Sequence, residues 1–119
     1  FETKVGPLQQ VLQQLLSNSV IHGFRDNQNN EIEITVERNE SSLLINYYDN
    51  GIGVDKSIKK RIFDPFVTTK RGEGGSGLGM HLVYNLVTQA LGGSVYFDDQ
   101  SSKGTRFIIT LPLTEANEI

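Results

Sequence analysis

Apolar residues recur every three or four positions in two stretches of the chain, and this spacing predicts two amphipathic helices. The first helix is expected to begin just after Gly6, with Pro7 in its first turn, and to end near residues 22–24. The second is expected to end at Gly92 and Gly93. The helix-spaced positions are Leu8, Val11, Leu12, Leu15, Leu16 and Ser19 in the first stretch, and Leu78, Leu82, Val83, Leu86, Val87 and Ala90 in the second.

Alternation of apolar and polar side chains predicts strands in other parts of the chain. Ile32, Ile34 and Val36 alternate with glutamate and threonine, so the strand that holds them is expected to have one buried and one wet face. The next strand follows after a short turn and is expected to pair with the first in an antiparallel manner. Four strands are predicted in this way, at residues 31–37, 43–48, 94–97 and 105–111.

These elements, with a shorter polar helix expected at residues 55–62, assemble most simply as a two-layer α/β sandwich. The predicted fold class is therefore α+β, with a mixed but mostly antiparallel sheet packed on about three helices. The length of 119 residues predicts one domain that spans residues 1–119.

Composition excludes several classes of function. The net charge of −3 comes from interspersed acids and bases, which disfavours nucleic-acid binding. The absence of cysteine excludes disulfides and thiolate metal sites. No apolar run approaches the roughly 18 residues that a membrane span needs, so this stretch is expected to be soluble, with no direct membrane contact. The only methionine is Met80, which suggests a piece of a longer protein.

The segment from Arg71 to Met80 has five glycines within eight residues and leads into the second helix. Glycine permits close backbone approach, and a helix that follows offers unpaired N–H groups, so the segment suits phosphate binding. Gly72, Gly74 and Gly77 match the dinucleotide-binding spacing, but no core strand precedes them. A Walker A loop is also excluded, since no Gly-Lys-Ser/Thr follows the glycines.

Five ordered motifs, spread over residues 8–113, together resemble the ATP-binding domain shared by sensor histidine kinases, gyrase, Hsp90 and MutL. The amino-acid sequences of the third and fourth motifs, the F box and the second glycine box, are most similar to the histidine-kinase branch. The motifs are Gln14–Ser19 (the N box), Asp49–Gly53 (the first glycine box), Ile62–Phe66 (the F box), Gly75–Gly79 (the second glycine box) and Gly104-Thr105.

The resemblance implies an adenine site around Asp49, whose carboxylate would accept a hydrogen bond from the exocyclic amine. Gly51, Ile52 and Gly53 would lie close to the ring, and Thr105 would contact adenine through water. A turn-capping role for Asp49 and a purely structural β-strand role for Thr105 remain the alternatives.

The resemblance also implies a Mg²⁺-triphosphate site, with Asn18 as the protein ligand of the metal. His22 lies one turn later and would touch ribose or phosphate, although a structural histidine is an equal alternative. Lys70 is the expected contact to the terminal phosphate, with a surface lysine as the alternative. A mobile lid over residues 66–75 and the second glycine box would supply the other contacts, namely Phe66, Thr68, Thr69, Arg71, Gly75, Ser76, Gly77, Leu78 and Gly79.

The implied function is that of a sensor histidine kinase catalytic domain, with ATP and Mg²⁺ as cofactors. Its partners would be an upstream dimerisation and phosphoacceptor helical domain and a downstream response regulator receiver. The isolated chain would bind ATP without labelling itself. Gln14 stands where ATP-hydrolysing relatives have a general-base glutamate, and Ile21 replaces a common basic residue. Three alternatives remain: an ATP-driven clamp of the gyrase or MutL type, a stand-alone serine kinase that regulates a partner, and a degenerate binding module with no affinity for ATP.

Overall fold

The computed structural model describes residues 5–24, 29–54, 59–64, 79–98 and 104–113. Within them, the regular elements follow the order α-β-β-α-β-β. The helices α1 and α2 each continue into a wider helical turn, Ser19–Gly23 and Leu86–Ala90, and Lys59–Arg61 forms a short 3₁₀ turn. The elements are α1 (Val5–Asn18), β1 (Ile32–Arg38), β2 (Ser42–Asp49), α2 (Gly79–Asn85), β3 (Ser94–Phe97) and β4 (Thr105–Pro112).

The four described strands form one sheet in the order β1-β2-β4-β3. All three pairs of neighbouring strands are antiparallel. The central pair, β2 and β4, brings Asp49 opposite Thr105 and Tyr47 opposite Phe107. Because side chains alternate along a strand, these four residues lie on the same face of the sheet.

That face is buried by the two helices. Tyr47, Phe107 and Ile109 of the sheet are at most 1% exposed and belong to the same core cluster as the helix residues. The fully buried helix residues in this cluster are Val11, Leu15, Val83 and Val87. The predicted α+β sandwich, with helices on one face of a largely antiparallel sheet, is therefore confirmed.

The start of the loop after α2 is also as predicted. Gly92 takes a left-handed conformation with φ +69°, and the Gly93 N–H donates to the Val87 carbonyl at 2.8 Å. This hydrogen bond satisfies a carbonyl near the helix end that would otherwise have no partner within the helix.

The burial predicted for β1 is wrong for most of its length. Ile34 is 44% exposed and Val36 is 58% exposed, and of the three alternating residues only Ile32 packs against the core. The physical reason is position, because β1 lies at the edge of the four described strands and pairs only with β2 among them.

Two of the predicted segments fall largely outside the described residues. The polar helix at 55–62 is described only from residue 59, and the lid at 66–75 lies wholly outside. Among the helices that the structure does describe, none has the length and apolar character needed to cross a membrane.

Candidate functional site

Asp49, the last residue of β2, carries a buried carboxylate that is 1% exposed. Its Oδ2 accepts a hydrogen bond from the Ser19 hydroxyl at 2.7 Å, and its Oδ1 accepts one from the Gly51 N–H at 3.0 Å. A carboxylate can accept about four hydrogen bonds. The two protein donors thus fix its orientation and leave acceptor capacity for a further donor.

The Ser19 hydroxyl belongs to a row of buried polar groups behind Asp49. Ser19 Oγ lies 2.6 Å from the Tyr47 hydroxyl oxygen, which in turn lies 3.0 Å from the Leu15 carbonyl oxygen. Tyr47 precedes Asp49 by two residues and so shares its face of the strand, while Ser19 follows Leu15 by one helical turn. The row therefore connects α1 to the end of β2.

The Tyr47 phenol is held in its neutral form. Burial raises its pKa above the usual 10.0, the hydrogen bond with Ser19 lowers it by a smaller amount, and the negative charge of Asp49 adds to the rise. The phenol therefore remains a hydrogen-bond donor throughout the physiological range.

Two glycines make a close backbone contact beside Asp49. Gly53 has φ +84° and Gly104 has φ +68°. A Cβ on Gly104 would lie 2.0 Å from the Asp49 carbonyl oxygen, and a Cβ on Gly53 would lie 3.1 Å from the Gly104 carbonyl oxygen. Any larger residue at 104 would displace the backbone that carries the carboxylate.

Thr105 and Asn50 flank Asp49 but face different surroundings. Thr105 is the cross-strand neighbour of Asp49 and is 3% exposed. The exposed Asn50 side chain accepts from the Glu31 N–H at 2.8 Å and donates to the Asn29 carbonyl at 2.7 Å. Thr105 therefore belongs to the site, whereas Asn50 anchors the start of β1.

Asn18 ends α1, next to Ser19, and is half-buried. Its side chain makes no capping hydrogen bond to the turn that follows. Among the described residues no cluster of three or more acidic or histidine side chains could hold a metal ion. Asn18 fits a magnesium site only as a single oxygen donor beside phosphate oxygens.

Two further positions border this region. Gly79 begins α2, and a Cβ there would lie 3.0 Å from Oε1 of Gln14 on α1. Gln14 is therefore placed where the two helices meet. Ile52 is 56% exposed in the loop after β2, unlike the buried Asp49.

His81 has a structural role in the described residues. Its Nδ1 lies 3.1 Å from the Phe63 carbonyl oxygen, which can only accept, so Nδ1 carries the proton. Its Nε2 then accepts from the Asn85 amide at 3.2 Å. Both ring nitrogens are thus used to attach α2 to the segment around Phe63.

Most of the predicted phosphate contacts lie outside the described residues. The structure describes the backbone of His22 within the turn after α1 but not its side chain. The predicted residues outside the described ranges are Phe66, Thr68, Thr69, Lys70, Arg71, Gly75, Ser76, Gly77 and Leu78.

Sequence reasoning missed Ser19 and Tyr47 as members of the site. A signal for Ser19 was present, because it occupies the buried stripe of α1 one turn after Leu15. A hydroxyl at a buried position needs a hydrogen-bond partner, which points to a polar group on the sheet. Nothing in the local sequence singles out Tyr47 from the other β-strand aromatics.

The chain is similar to known proteins over nearly its whole length. A family model described as histidine kinase-, DNA gyrase B-, and HSP90-like ATPase matches residues 3–115. The alginate biosynthesis sensor protein KinB of Pseudomonas aeruginosa is 35% identical over 106 residues, which cover 89% of this chain and 17% of KinB. The chain therefore spans less than a fifth of the length of this relative.

Solved structures show the same fold. The catalytic domain of the histidine kinase ThkA has a TM-score of 0.77 at 27% identity, covering 98% of this chain and 72% of that one. Full-length ShkA in complex with AMPPNP has a TM-score of 0.73 at 27% identity, covering 95% of this chain and 23% of ShkA. With a family match over most of the sequence and a shared α+β sandwich, the chain belongs to the histidine kinase-, DNA gyrase B- and HSP90-like ATPase family.

Proposed function

We propose that this chain is the ATP-binding catalytic domain of a sensor histidine kinase. It would bind Mg-ATP and donate the terminal phosphoryl group to a histidine on a separate dimerisation and phosphoacceptor domain. The observation that carries the proposal is the buried Asp49 carboxylate, fixed by two donors and retaining acceptor capacity. A buried charge with spare acceptor sites favours a ligand that brings a further donor.

The amine of adenine is a donor that suits this carboxylate. Guanine presents a carbonyl at the same position of the ring, and two acceptors facing each other would repel. The glycines at 53 and 104 let the backbone pack closely beside Asp49, which fixes the position of the carboxylate that would face the base. Thr105, opposite Asp49, and the exposed Ile52 are the proposed neighbours of the base.

Asn18 is the proposed protein ligand of Mg²⁺, which would neutralise charge on the phosphates during phosphoryl transfer. The remaining phosphate contacts rest on the sequence motifs alone. His22 and Lys70 are the proposed catalytic contacts, and Lys70 would clamp the terminal phosphate. The other proposed nucleotide contacts are Gly51, Phe66, Thr68, Thr69, Arg71, Gly75, Ser76, Gly77, Leu78 and Gly79.

The similar proteins support this assignment. KinB is a sensor protein, ThkA is a histidine kinase, and ShkA was solved with the ATP analogue AMPPNP. By analogy, the proposed partners are a helical dimerisation domain upstream and a response regulator receiver downstream. The proposed location of the domain is the cytoplasm.

The proposal is tested by mixing the chain with the region that precedes it in its parent protein, in the presence of labelled ATP and Mg²⁺. Acid-labile, base-stable label on that region is the expected result, since phosphohistidine has these properties. The chain alone should bind ATP by calorimetry and remain unlabelled. A chain that binds ATP but never labels the upstream region would contradict the kinase assignment while leaving nucleotide binding intact.

The residue type at position 14 distinguishes a kinase from an ATP-driven clamp. An amide cannot act as a general base, so we expect slow hydrolysis of ATP by the wild-type chain. Gln14→Glu places a carboxylate where α1 meets the start of α2, and hydrolysis should rise by about tenfold or more. Gln13→Glu, an exposed neighbour on the same helix, is the matched control and should leave the rate unchanged. Brisk hydrolysis by the wild type would favour the clamp instead.

A further inference from the structure

Three oxygen–oxygen contacts in the row behind Asp49 limit where the hydroxyl protons can lie. They join the Leu15 carbonyl to the Tyr47 hydroxyl at 3.0 Å, Tyr47 to the Ser19 hydroxyl at 2.6 Å, and Ser19 to the Asp49 carboxylate at 2.7 Å. The carbonyl and an ionised carboxylate can only accept, so the two hydroxyl protons must serve three contacts.

The proton of Ser19 is assigned first. Its hydrogen bond to the carboxylate is charge-assisted and therefore the strongest of the three. Ser19 Oγ is then free to accept, and the proton of Tyr47 has two candidate acceptors. The contact to Ser19 is shorter than the contact to Leu15 by 0.4 Å, as 3.0 minus 2.6. The Tyr47 hydroxyl donates to the Leu15 carbonyl and also lies within hydrogen-bond distance of Ser19 Oγ, so it can share its proton with Ser19 while Ser19 donates to Asp49.

We infer that Ser19 and Tyr47 are positioning residues for adenine recognition, because their hydroxyl groups, aligned toward Asp49, hold its carboxylate in the orientation that receives the amine of the base. This inference rests on the proposed function and adds two residues that position the Asp49 carboxylate for the amine of adenine. Ser19 contacts Asp49 directly, and Tyr47 acts through Ser19.

The geometry around Asp49 explains why one hydroxyl should matter. Only two described donors hold the carboxylate, one on each oxygen. Loss of the Ser19 donor would leave the Gly51 N–H alone, and a carboxylate with one donor can rotate about its Cβ–Cγ bond. Removal of a donor also makes the carboxylate a somewhat stronger acceptor, but a fixed orientation contributes more to binding than this gain.

Hydrogen bonding from Tyr47 toward Ser19 and Asp49 requires that the phenol keep its proton. The raised pKa of Tyr47 keeps the phenol protonated, so its proton remains available to the Ser19 hydroxyl. Phenylalanine at this position would fill the same apolar space and remove only the hydroxyl. Ser19 would then donate to Asp49 without a donor behind it, and a smaller effect is expected.

The test compares the affinities of two nucleotides for the wild-type chain and two variants. ATP carries the amine, and purine riboside triphosphate has a hydrogen in its place, with the same phosphates and the same Mg²⁺. Ser19→Ala should weaken ATP by about tenfold and change purine riboside triphosphate by less than about twofold. Tyr47→Phe should weaken ATP selectively by about threefold.

A double variant tests whether the two hydroxyls act in sequence. If Tyr47 acts through Ser19, then Tyr47→Phe should have no further effect on the ATP preference once Ser19 is alanine. Ser94→Ala and Tyr96→Phe, at exposed positions on β3, are the matched controls and should leave both affinities unchanged.

The outcomes separate this inference from the proposed function. A wild-type chain that binds neither nucleotide overturns both. A wild-type chain that binds ATP, with variants that lose equal affinity for the two nucleotides, overturns the inference alone, because a merely structural role would produce that result. Should Ser19→Ala fail to fold, Tyr47→Phe decides: a selective loss of ATP supports the inference, and an unchanged preference overturns it.

Discussion

Replacement of Gly104 by alanine has a cost that can be worked out from the structure in two parts. Gly104 has φ +68°, and the left-handed region costs a residue with a Cβ about 1–2 kcal/mol. The new Cβ would also lie 2.0 Å from the Asp49 carbonyl oxygen, whereas ordinary contact begins at 3.4 Å. Relief of such an overlap by shifting the backbone costs about 1–3 kcal/mol. The free energy of unfolding should therefore fall by about 2–5 kcal/mol.

Two other glycines provide matched controls, because each carries only one of these costs. Gly92 has φ +69°, but its Cβ would meet nothing closer than Pro112 Cγ at 3.9 Å, so its alanine variant should lose about 1–2 kcal/mol. Gly93 has no positive φ, but its Cβ would lie 2.1 Å from the Thr110 carbonyl oxygen, so its variant should lose about 1–3 kcal/mol.

The assay is urea denaturation followed by circular dichroism, combined with calorimetric titration of Mg-ATP at a temperature where all three variants are folded. Only Gly104→Ala moves the backbone of Asp49, so only this variant should also weaken ATP binding. The reasoning would be refuted if Gly104→Ala were no less stable than Gly92→Ala, or if Gly93→Ala impaired ATP binding to the same degree.

Three further predictions concern single side chains. Asp49→Asn should weaken ATP binding by about 1–3 kcal/mol, because a neutral amide replaces a buried charged acceptor; unchanged affinity in calorimetry would contradict the adenine role. Asn18→Ala should weaken Mg-ATP much more than metal-free ATP, and equal losses with and without Mg²⁺ would contradict the metal role. For Tyr47, the raised pKa means that the folded chain holds the phenolic proton more tightly than the unfolded chain does. Its stabilising contribution is therefore complete below about pH 10 and is lost as the pH rises through the folded pKa. Denaturation should be measured between about pH 8 and 11, an interval that brackets the usual pKa of tyrosine. The free energy of unfolding should decline with rising pH, and the decline should be shallower in Tyr47→Phe. Parallel curves for the two proteins would contradict this role of Tyr47.

Local patterns in the sequence were sufficient to predict most of the regular elements. The spacing of apolar residues predicted both helices, and alternation predicted four strands whose observed bounds differ by no more than a residue or two. Gly92 was correctly predicted to end the second helical segment, because a left-handed residue at that point favours glycine. The position of Asp49 at the end of a strand was also predictable, since strand and turn signals are both local.

The exposure of β1 shows where such reasoning fails. Ile34 and Val36 follow the same alternation as the buried residues of β2, and only the charged Glu33 and Glu37 beside them are typical of an edge strand. Burial depends on which strand lies in the middle of the sheet, and that order is set by how the other strands pair.

The sequence by itself determined the regular elements, the helix-ending Gly92 and the family, because periodicity and turn preference are local and each motif is a short run of residues. Only the tertiary structure decided that the Ser19 hydroxyl reaches Asp49 and that Gly104 touches the Asp49 backbone. These pairs are separated by 30 and, as 104 minus 49, 55 positions along the chain. Contacts between such distant residues arise from the packing of α1 on the sheet and the pairing of β2 with β4, which no local pattern specifies.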